Sequence, residues 1–302
     1  MKEKQDCLTE DVIVCDHLTH YYGKRCIYED LSFRIPKGRI LGLLGKNGTG
    51  KTTTINILNG YLQPRSGNCS IFGEPSHNLS PAVRQRVGLL IEGHVQYSFM
   101  NVKQLERFYA RFYPHWKRDT YFELISHLKI DERQRISRMS CGQRSQVALG
   151  LILAQNPDLL ILDDFSMGLD PGYRRLFVDY LNEYARSNDK TVFVTSHIIQ
   201  DMERLIDDCL IMDYGRILLQ KPVKEILDTF SRYTMRGLAA FPKEGIEGFY
   251  HPDKIKDSIE FYSFLPLKEV REKLEQKQIK TDTLRQEKVT LEEAFIGLTG
   301  KY

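Results

Sequence analysis

The sequence of 302 residues has a single tryptophan, few cysteines and no long apolar segment. Its six cysteines are scattered and form no Cys-x-x-Cys pair, which argues against a zinc site or disulfide framework and favours a reducing compartment. No apolar run approaches the ~20 residues that span a bilayer. Residues 1–6 are polar and lack the apolar core of a secretory signal. We therefore expect any membrane role to depend on another chain.

The charge and composition of the chain point to no particular class of partner. The formal net charge of +3 is too small to indicate nucleic acid by itself. Hydrophobic residues make up 41% and charged residues 27%, as in ordinary globular proteins. The length accommodates one α/β domain and a smaller second domain.

One glycine-rich stretch fits the pattern G-x-x-x-x-G-K-[ST], and it comprises Gly45, Lys46, Asn47, Gly48, Thr49, Gly50, Lys51 and Thr52. An apolar run at 40–44 precedes it and predicts a buried strand, and residues 53–58 have helical spacing. Such a loop directs backbone N–H groups and a helix N-terminus at an anion. Lys51 is expected to reach the β- and γ-phosphates, and the Thr52 hydroxyl a Mg²⁺ ion. The alternative is an ordinary glycine turn before a helix.

Two further strands end in polar side chains. Residues 159–162 predict a fully buried strand that ends in Asp163 and Asp164, and paired carboxylates there are costly unless a metal or proton uses them. Together with the glycine-rich loop, they indicate that Asp163 binds Mg²⁺ and that Asp164 faces the attacking water. Residues 191–195 predict another buried strand, followed by His197 at the same edge, where we expect the γ-phosphate. A lone histidine is more often structural.

Several local signals are weaker. Ser140, Cys141, Gly142 and Gln143 precede a predicted helix over 144–154, and Ser140 is a plausible N-cap. A capped, glycine-containing helix start is a second potential phosphate site, but most capped helices bind nothing. Glu92 is a carboxylate at a strand end. Tyr22 could stack on a nucleotide base, but local evidence favours packing in a sheet.

Helical spacing also predicts buried faces in the middle of the chain, one of them formed by Leu105, Phe108, Tyr109 and Phe112. Residues 222–302 show no catalytic pattern. They predict a helix over 224–230, strands near 233–241 and 258–264, and a last helix that opens with a capping box at Thr290. This region is interpreted as a small α+β regulatory or docking domain.

The order and spacing of these segments over 10–220 resemble the ATP-binding subunits of ABC transporters. The sequence of residues 291–300 is similar to the drug- and peptide-export branch. The resemblance implies an α/β fold with a P-loop NTPase core, a mixed sheet, an antiparallel β subdomain and a helical subdomain. It places an ATP-binding domain at 10–221, with the helical subdomain at about 94–155, and a small C-terminal α+β accessory domain at 222–302.

The resemblance also assigns roles. Tyr22 becomes the aromatic that stacks on adenine, which reverses the local interpretation, and residues 45–53, Thr53 included, bind the nucleotide. Asp163 is the Walker B acid, and His197 is the switch histidine. Glu92 lies at the Q-loop position, where it acts in catalysis and joins Thr52 and Asp163 around Mg²⁺.

The remaining motifs act between subunits. Residues 140–143 form the signature that contacts the ATP of the opposite subunit, and Asp170 is the D-loop acid. The resemblance implies ATP and Mg²⁺ as cofactors. The implied partners are an integral membrane permease and a second ATPase subunit, in a homodimer or a heterodimer, without nucleic acid. The expected location is cytoplasmic, peripheral on the inner face of the cell membrane.

Three departures from the family pattern concern hydrolysis. Cys141 stands where glycine is usual, Glu92 replaces glutamine, and Asp164 replaces glutamate with a side chain one methylene shorter. They predict slow but real hydrolysis with nucleotide binding retained. The expected function is an ATPase that powers transport, with export favoured. The alternatives are a soluble ABC-type ATPase that acts on ribosomes or DNA, and a slowly hydrolysing ATP-operated clamp.

Overall fold

The computed structural model describes residues 10–91, 97–127, 129–165, 169–236, 241–242 and 245–300. The strands, in chain order, are β1 (Asp11–Tyr22), β2 (Arg25–Pro36), β3 (Ile40–Gly45), β4 (Ser66–Ile71), β5 (Glu74–Pro75), β6 (Val87–Leu90), β7 (Leu159–Leu162), β8 (Thr191–Thr195), β9 (Asp208–Asp213), β10 (Arg216–Pro222), β11 (Ser231–Arg236), β12 (Tyr250–Ile255), β13 (Ser258–Ser263) and β14 (Arg285–Lys288). The α-helices are α1 (Lys51–Leu58), α2 (Pro81–Arg84), α3 (Val102–Tyr109), α4 (Arg118–His127), α5 (Cys141–Ala154), α6 (Pro171–Ser187), α7 (Ile199–Leu205), α8 (Val223–Thr229), α9 (Leu267–Gln276) and α10 (Leu291–Thr299).

A central mixed sheet organises the chain, with strand order β10-β9-β3-β8-β7-β6. Neighbouring strands from β9 to β6 are parallel, and β10 is antiparallel to β9. Alternate residues of β7 pack into different cores: Leu160 and Leu162 into one cluster, Leu159 and Ile161 into the other. A strand covered on both faces must be apolar throughout, and this is why the short apolar runs in the sequence predicted β3, β7 and β8.

Different elements cover the two faces of this sheet. The antiparallel sheet β2-β1-β4-β5 and helix α1 share a buried cluster with one face. Helices α3, α4, α5 and α6 contribute to the cluster on the other face. The mixed sheet, the antiparallel sheet and the helical segment expected from the resemblance are therefore all present.

The helical segment shows where simple periodicity misleads. Leu105 is fully buried, as the spacing predicts, whereas Phe112 is 59% exposed. Helix α3 ends at Tyr109, so Phe112 no longer follows the helical period and lies beside Phe108 in an exposed aromatic group. Among the described residues, no helix has both the length and the apolar composition needed to cross a membrane.

The C-terminal region contains a sheet of its own, with strand order β12-β13-β11-β14. Tyr233 and Phe261 stack in a buried cluster with Val270 and Leu274 of α9. The capping box at Thr290 is present, because its hydroxyl accepts from the backbone N–H of Glu293. Helix α10 joins the larger cluster of the central sheet. A separate domain at 222–302 remains a prediction.

The C-terminal cluster gives a prediction about stability. Phe261→Ala removes a fully buried ring and should lower the free energy of unfolding of this region by about 3–5 kcal/mol. Hydrogen exchange should show faster exchange in β11 and β13, with the central sheet unchanged. Phe112→Ala, at an exposed position, is the matched control and should change stability by no more than about 0.5 kcal/mol. Equal loosening of β3 and β8 would contradict the separate packing of this cluster.

Candidate functional site

The glycine-rich loop connects β3 to α1, and the backbone of Gly50 explains the need for glycine. Gly50 precedes the first residue of α1 with φ +103°, and no side chain caps the helix. A Cβ atom at Gly50 would lie 2.8 Å from Ile27 and 2.9 Å from Tyr28. The first N–H groups of α1 therefore remain available to an anion, and the helix dipole favours one.

Lys51 lies at the start of α1 with its ammonium group folded back onto the loop. Its Nζ atom donates to the carbonyl oxygens of Gly45 (2.7 Å) and Lys46 (3.1 Å). Burial lowers the pKa of Lys51 below its ordinary value, while the carboxylates of Asp163 and Asp164 oppose that shift. The Lys51 charge therefore lies close enough to the acidic pair to interact with both carboxylates.

Thr195, the last residue of β8, holds the two acidic residues together. Its hydroxyl donates to Asp163 Oδ1 (2.6 Å) and accepts from the backbone N–H of Asp164 (2.9 Å). Sequence reasoning treated Thr195 only as part of a strand. Its position at the carboxyl end of the strand before His197 was the signal that could have identified it.

Asp164 has an unusual backbone conformation, and one oxygen of its carboxylate accepts no hydrogen bond from the described residues. Its φ is +45°, a left-handed conformation that aspartate tolerates better than most residues. Oδ1 accepts from the backbone N–H of His197 (3.3 Å). His197 Nε2 lies 3.1 Å from Oδ2 without hydrogen-bond geometry, so this buried oxygen lacks a donor among the described residues. A buried acceptor facing a cavity is suited to orient a polar ligand or a water molecule.

A cavity of about 340 Å³ lies at the carboxyl ends of β3, β7 and β8. It brings together many of the residues singled out in the sequence: Tyr22, Asn47, Gly48, Gly50, Lys51, Thr52, Thr53, Asp163, Asp164 and His197. Four lining residues that the sequence did not single out are Arg25, Ile27, Thr195 and Ser196. Tyr22 is half exposed at the rim, and its ring packs against His20 with centroids 4.9 Å apart.

Some residues of the loop support the cavity without lining it. The Thr49 hydroxyl donates to the carbonyl of Lys46 (2.8 Å). A Cβ atom at Gly45 would lie 2.5 Å from that hydroxyl oxygen, so a larger residue would displace it. The Lys46 side chain extends away from the cavity and donates to the carbonyl of Thr299 (2.7 Å).

The signature and D-loop residues lie outside the cavity of this chain. Ser140 and Gln143 form a capping box that opens α5, and the thiol of Cys141 is exposed. Helix α5 therefore starts at Cys141, three residues earlier than expected. Asp170 caps α6 by accepting from the N–H groups of Gly172 (3.0 Å) and Tyr173 (3.1 Å). Glu92 lies outside the described residues.

The donor set fits Mg²⁺ together with phosphate oxygens. The Thr52 hydroxyl and the Asp163 carboxylate both line the cavity, and both supply oxygen ligands. Mg²⁺ commonly takes one or two protein oxygens and completes its shell with phosphate and water. No group of three or more His, Cys, Asp or Glu residues in the described part of the chain could hold a metal ion unaided.

The sequence of this chain is similar to those of known proteins. The family described as ABC transporter matches residues 28–166. The bacitracin transport ATP-binding protein BcrA of Bacillus licheniformis is 28% identical over 224 residues, covering 74% of this chain and 73% of that protein. The Nod factor export ATP-binding protein I of Cupriavidus metallidurans is 30% identical over 214 residues, covering 69% and 70%. The ABC transporter ATP-binding protein YhcH of Bacillus subtilis is 30% identical over 217 residues, covering 71% of each.

Solved structures share the fold. The ATP-binding subunit of an ABC transporter superposes with a TM-score of 0.64 at 24% identity, covering 72% of this chain and 92% of that one. A dimeric ATP-binding cassette with bound ADP and Pi superposes with a TM-score of 0.61 at 18% identity, covering 70% and 98%. With the glycine-rich loop, the acidic pair and the histidine at one sheet edge, the similarity to these relatives shows that the chain belongs to the ATP-binding proteins of ABC transporters, the ATPases that power them.

Proposed function

We propose that the cavity binds Mg-ATP and that the chain hydrolyses it as one of two ATPase subunits of an exporter. The observation that carries this proposal is the convergence, at one sheet edge, of an uncapped helix N-terminus, a lysine and two buried carboxylates. Electrostatic stabilisation by such preorganised groups is the main task of a protein in phosphoryl transfer.

Each group has a distinct role in this proposal. Lys51 neutralises the β- and γ-phosphates, since its ammonium already lies at the loop. The Thr52 hydroxyl and the Asp163 carboxylate would hold Mg²⁺, which would neutralise charge on the phosphate oxygens. Asp164 orients the attacking water with its Oδ2 atom, and His197 holds the γ-phosphate beside it. Tyr22 at the rim stacks on the base.

The proposal requires a second ATPase subunit, because the signature residues do not reach the cavity of their own chain. In a head-to-tail pair, the α5 N-terminus of one subunit would oppose the α1 N-terminus of the other across the triphosphate. ATP binding then closes the pair, and hydrolysis reopens it. Glu92 keeps its proposed role beside Mg²⁺ at the Q-loop position.

Export is the favoured direction, and the membrane partner is an integral permease. The named relatives serve bacitracin transport and Nod factor export. The proposed site of action is therefore the cytoplasmic face of the membrane, with the permease as the anchor. A slowly hydrolysing clamp is the second candidate, and the aspartate at position 164 and the cysteine at position 141 favour it.

Lys51→Ala tests the assignment of the phosphate loop. The variant should bind Mg-ATP at least about a hundredfold more weakly, because the triphosphate loses its main compensating charge. Equilibrium titration with a fluorescent ATP analogue measures the effect. Lys37→Ala, an exposed lysine before β3, is the control and should bind as wild type does. Unchanged binding by Lys51→Ala would show that the nucleotide lies elsewhere.

Substitutions of Asp164 test the catalytic assignment. Asp164→Asn should lower steady-state phosphate release by about a hundredfold or more and trap an ATP-bound dimer, visible as doubled mass in solution. Asp164→Glu should be no faster than wild type, because glutamate adopts the positive φ less readily. Asp282→Asn, at an exposed position, serves as the control. A wild-type rate in Asp164→Asn would mean that this side chain does not face the water.

The role in transport has its own test. The chain should co-purify with an integral membrane protein from detergent-solubilised membranes, and that partner should increase its ATPase rate. Glu92→Gln should keep the complex intact and alter only the rate. A chain that hydrolyses ATP and instead co-purifies with ribosomes would support the soluble alternative.

A further inference from the structure

Helix α10 is the last helix of the described residues, yet it packs into the cluster that covers one face of the central sheet. Leu291, Phe295 and Leu298 belong to the same buried cluster as Met202 and Leu205 of α7. The sheet of the C-terminal region has a cluster of its own around Tyr233 and Phe261, while Tyr262 of β13 belongs to the cluster of α10. Helix α10 therefore packs against both α7 and the C-terminal sheet.

The N-terminal end of α10 is bound by the helix that follows His197. The backbone N–H of Leu291 donates to Glu203 Oε2 (2.8 Å), and Gln200 Nε2 donates to Glu292 Oε2 (3.1 Å). Glu203 and Gln200 both lie on α7, which begins two residues after His197. A carboxylate at a helix N-terminus is favourable, so this end of α10 is held in place.

The C-terminal end of α10 contacts the glycine-rich loop. Lys46 Nζ donates to the carbonyl of Thr299 (2.7 Å), and His251 Nε2 lies 3.1 Å from the carbonyl of Leu298. A cation at a helix C-terminus satisfies an unpaired carbonyl and complements the helix dipole. A Cβ atom at Gly300, where φ is +77°, would lie 2.9 Å from the His251 ring. Glycine at this position therefore lets His251 approach the last carbonyl groups of α10 without a steric clash.

The backbone of Lys46 in turn holds the side chain of Lys51. The carbonyl of Lys46 accepts from Lys51 Nζ (3.1 Å) and from the Thr49 hydroxyl (2.8 Å). The side chain of Lys46 is anchored on α10, and its peptide group supports Lys51. A displacement of Lys46 therefore displaces an acceptor of the Lys51 ammonium.

We propose that Lys46 is a positioning residue for the phosphate site, held by the C-terminal carbonyl of α10. Through this contact α10 sets the geometry of the loop and the affinity for Mg-ATP. The inference rests on the proposed function of the cavity as the Mg-ATP site. The inference gives α10 a role in nucleotide binding. This helix ends about 250 residues after the glycine-rich loop in sequence and contributes no side chain to the cavity.

The full-length chain and three variants provide the first test. Lys46→Met removes the charge at similar length and should raise the dissociation constant and KM for Mg-ATP about threefold to tenfold, with kcat within about twofold of wild type. Lys46→Arg retains a donor and should restore affinity to within about twofold. Lys268→Met, an exposed lysine on α9, is the matched control. Wild-type affinity in Lys46→Met would overturn the proposal, as would failure of arginine to rescue.

A double-mutant cycle separates this route from direct binding of phosphate by Lys46. Glu203→Gln loosens the opposite end of α10 and should itself raise the dissociation constant about twofold. The double variant should then lose less than the product of the two single effects. Fully multiplicative losses would mean that Lys46 acts without α10. If the wild-type chain bound no Mg-ATP, the proposed function would fail, which is distinct from failure of this inference alone.

Discussion

Strand β8 lies between β3 and β7, and its parallel pairing with both decides where the chemistry of this chain takes place. The three strands are buried on both faces, so their polar ends can emerge only at the edges of the sheet. Because the strands run in the same direction, the glycine-rich loop, the acidic pair and His197 emerge at the same edge. The cavity is a consequence of that pairing.

Within the cavity, opposite charges are held close to one another by the protein. Lys51 is partly buried, and the nearby carboxylates of Asp163 and Asp164 offset the cost of burying its charge. Thr195 fixes the carboxylates by donating to one and accepting from the backbone of the other. A triphosphate with Mg²⁺ would enter a site whose charges need little rearrangement, which is the condition for strong electrostatic stabilisation.

The departures from the family pattern have a physical interpretation in this geometry. Asp164 occupies a left-handed backbone conformation, and its carboxylate contacts the backbone and ring of His197. The position of this carboxylate therefore depends on the local backbone and on His197 as well as on the length of the side chain. Cys141 is exposed at the start of α5. Neither departure alters the loop that would hold the phosphates.

The sequence by itself determined the glycine-rich loop and the Thr290 cap, because their patterns join residues only a few positions apart. It also determined the buried strands, because a strand covered on both faces must be apolar throughout. Tertiary structure decided the rest. The role of Thr195, the exposure of Phe112 and the contact between Lys46 and Thr299 depend on packing between distant segments. Local sequence patterns predict that a residue is buried or that it caps a helix, but they do not identify the distant residue that it contacts. The strand order places Thr195 beside Asp163 and Asp164, and the packing of α10 places Thr299 beside Lys46.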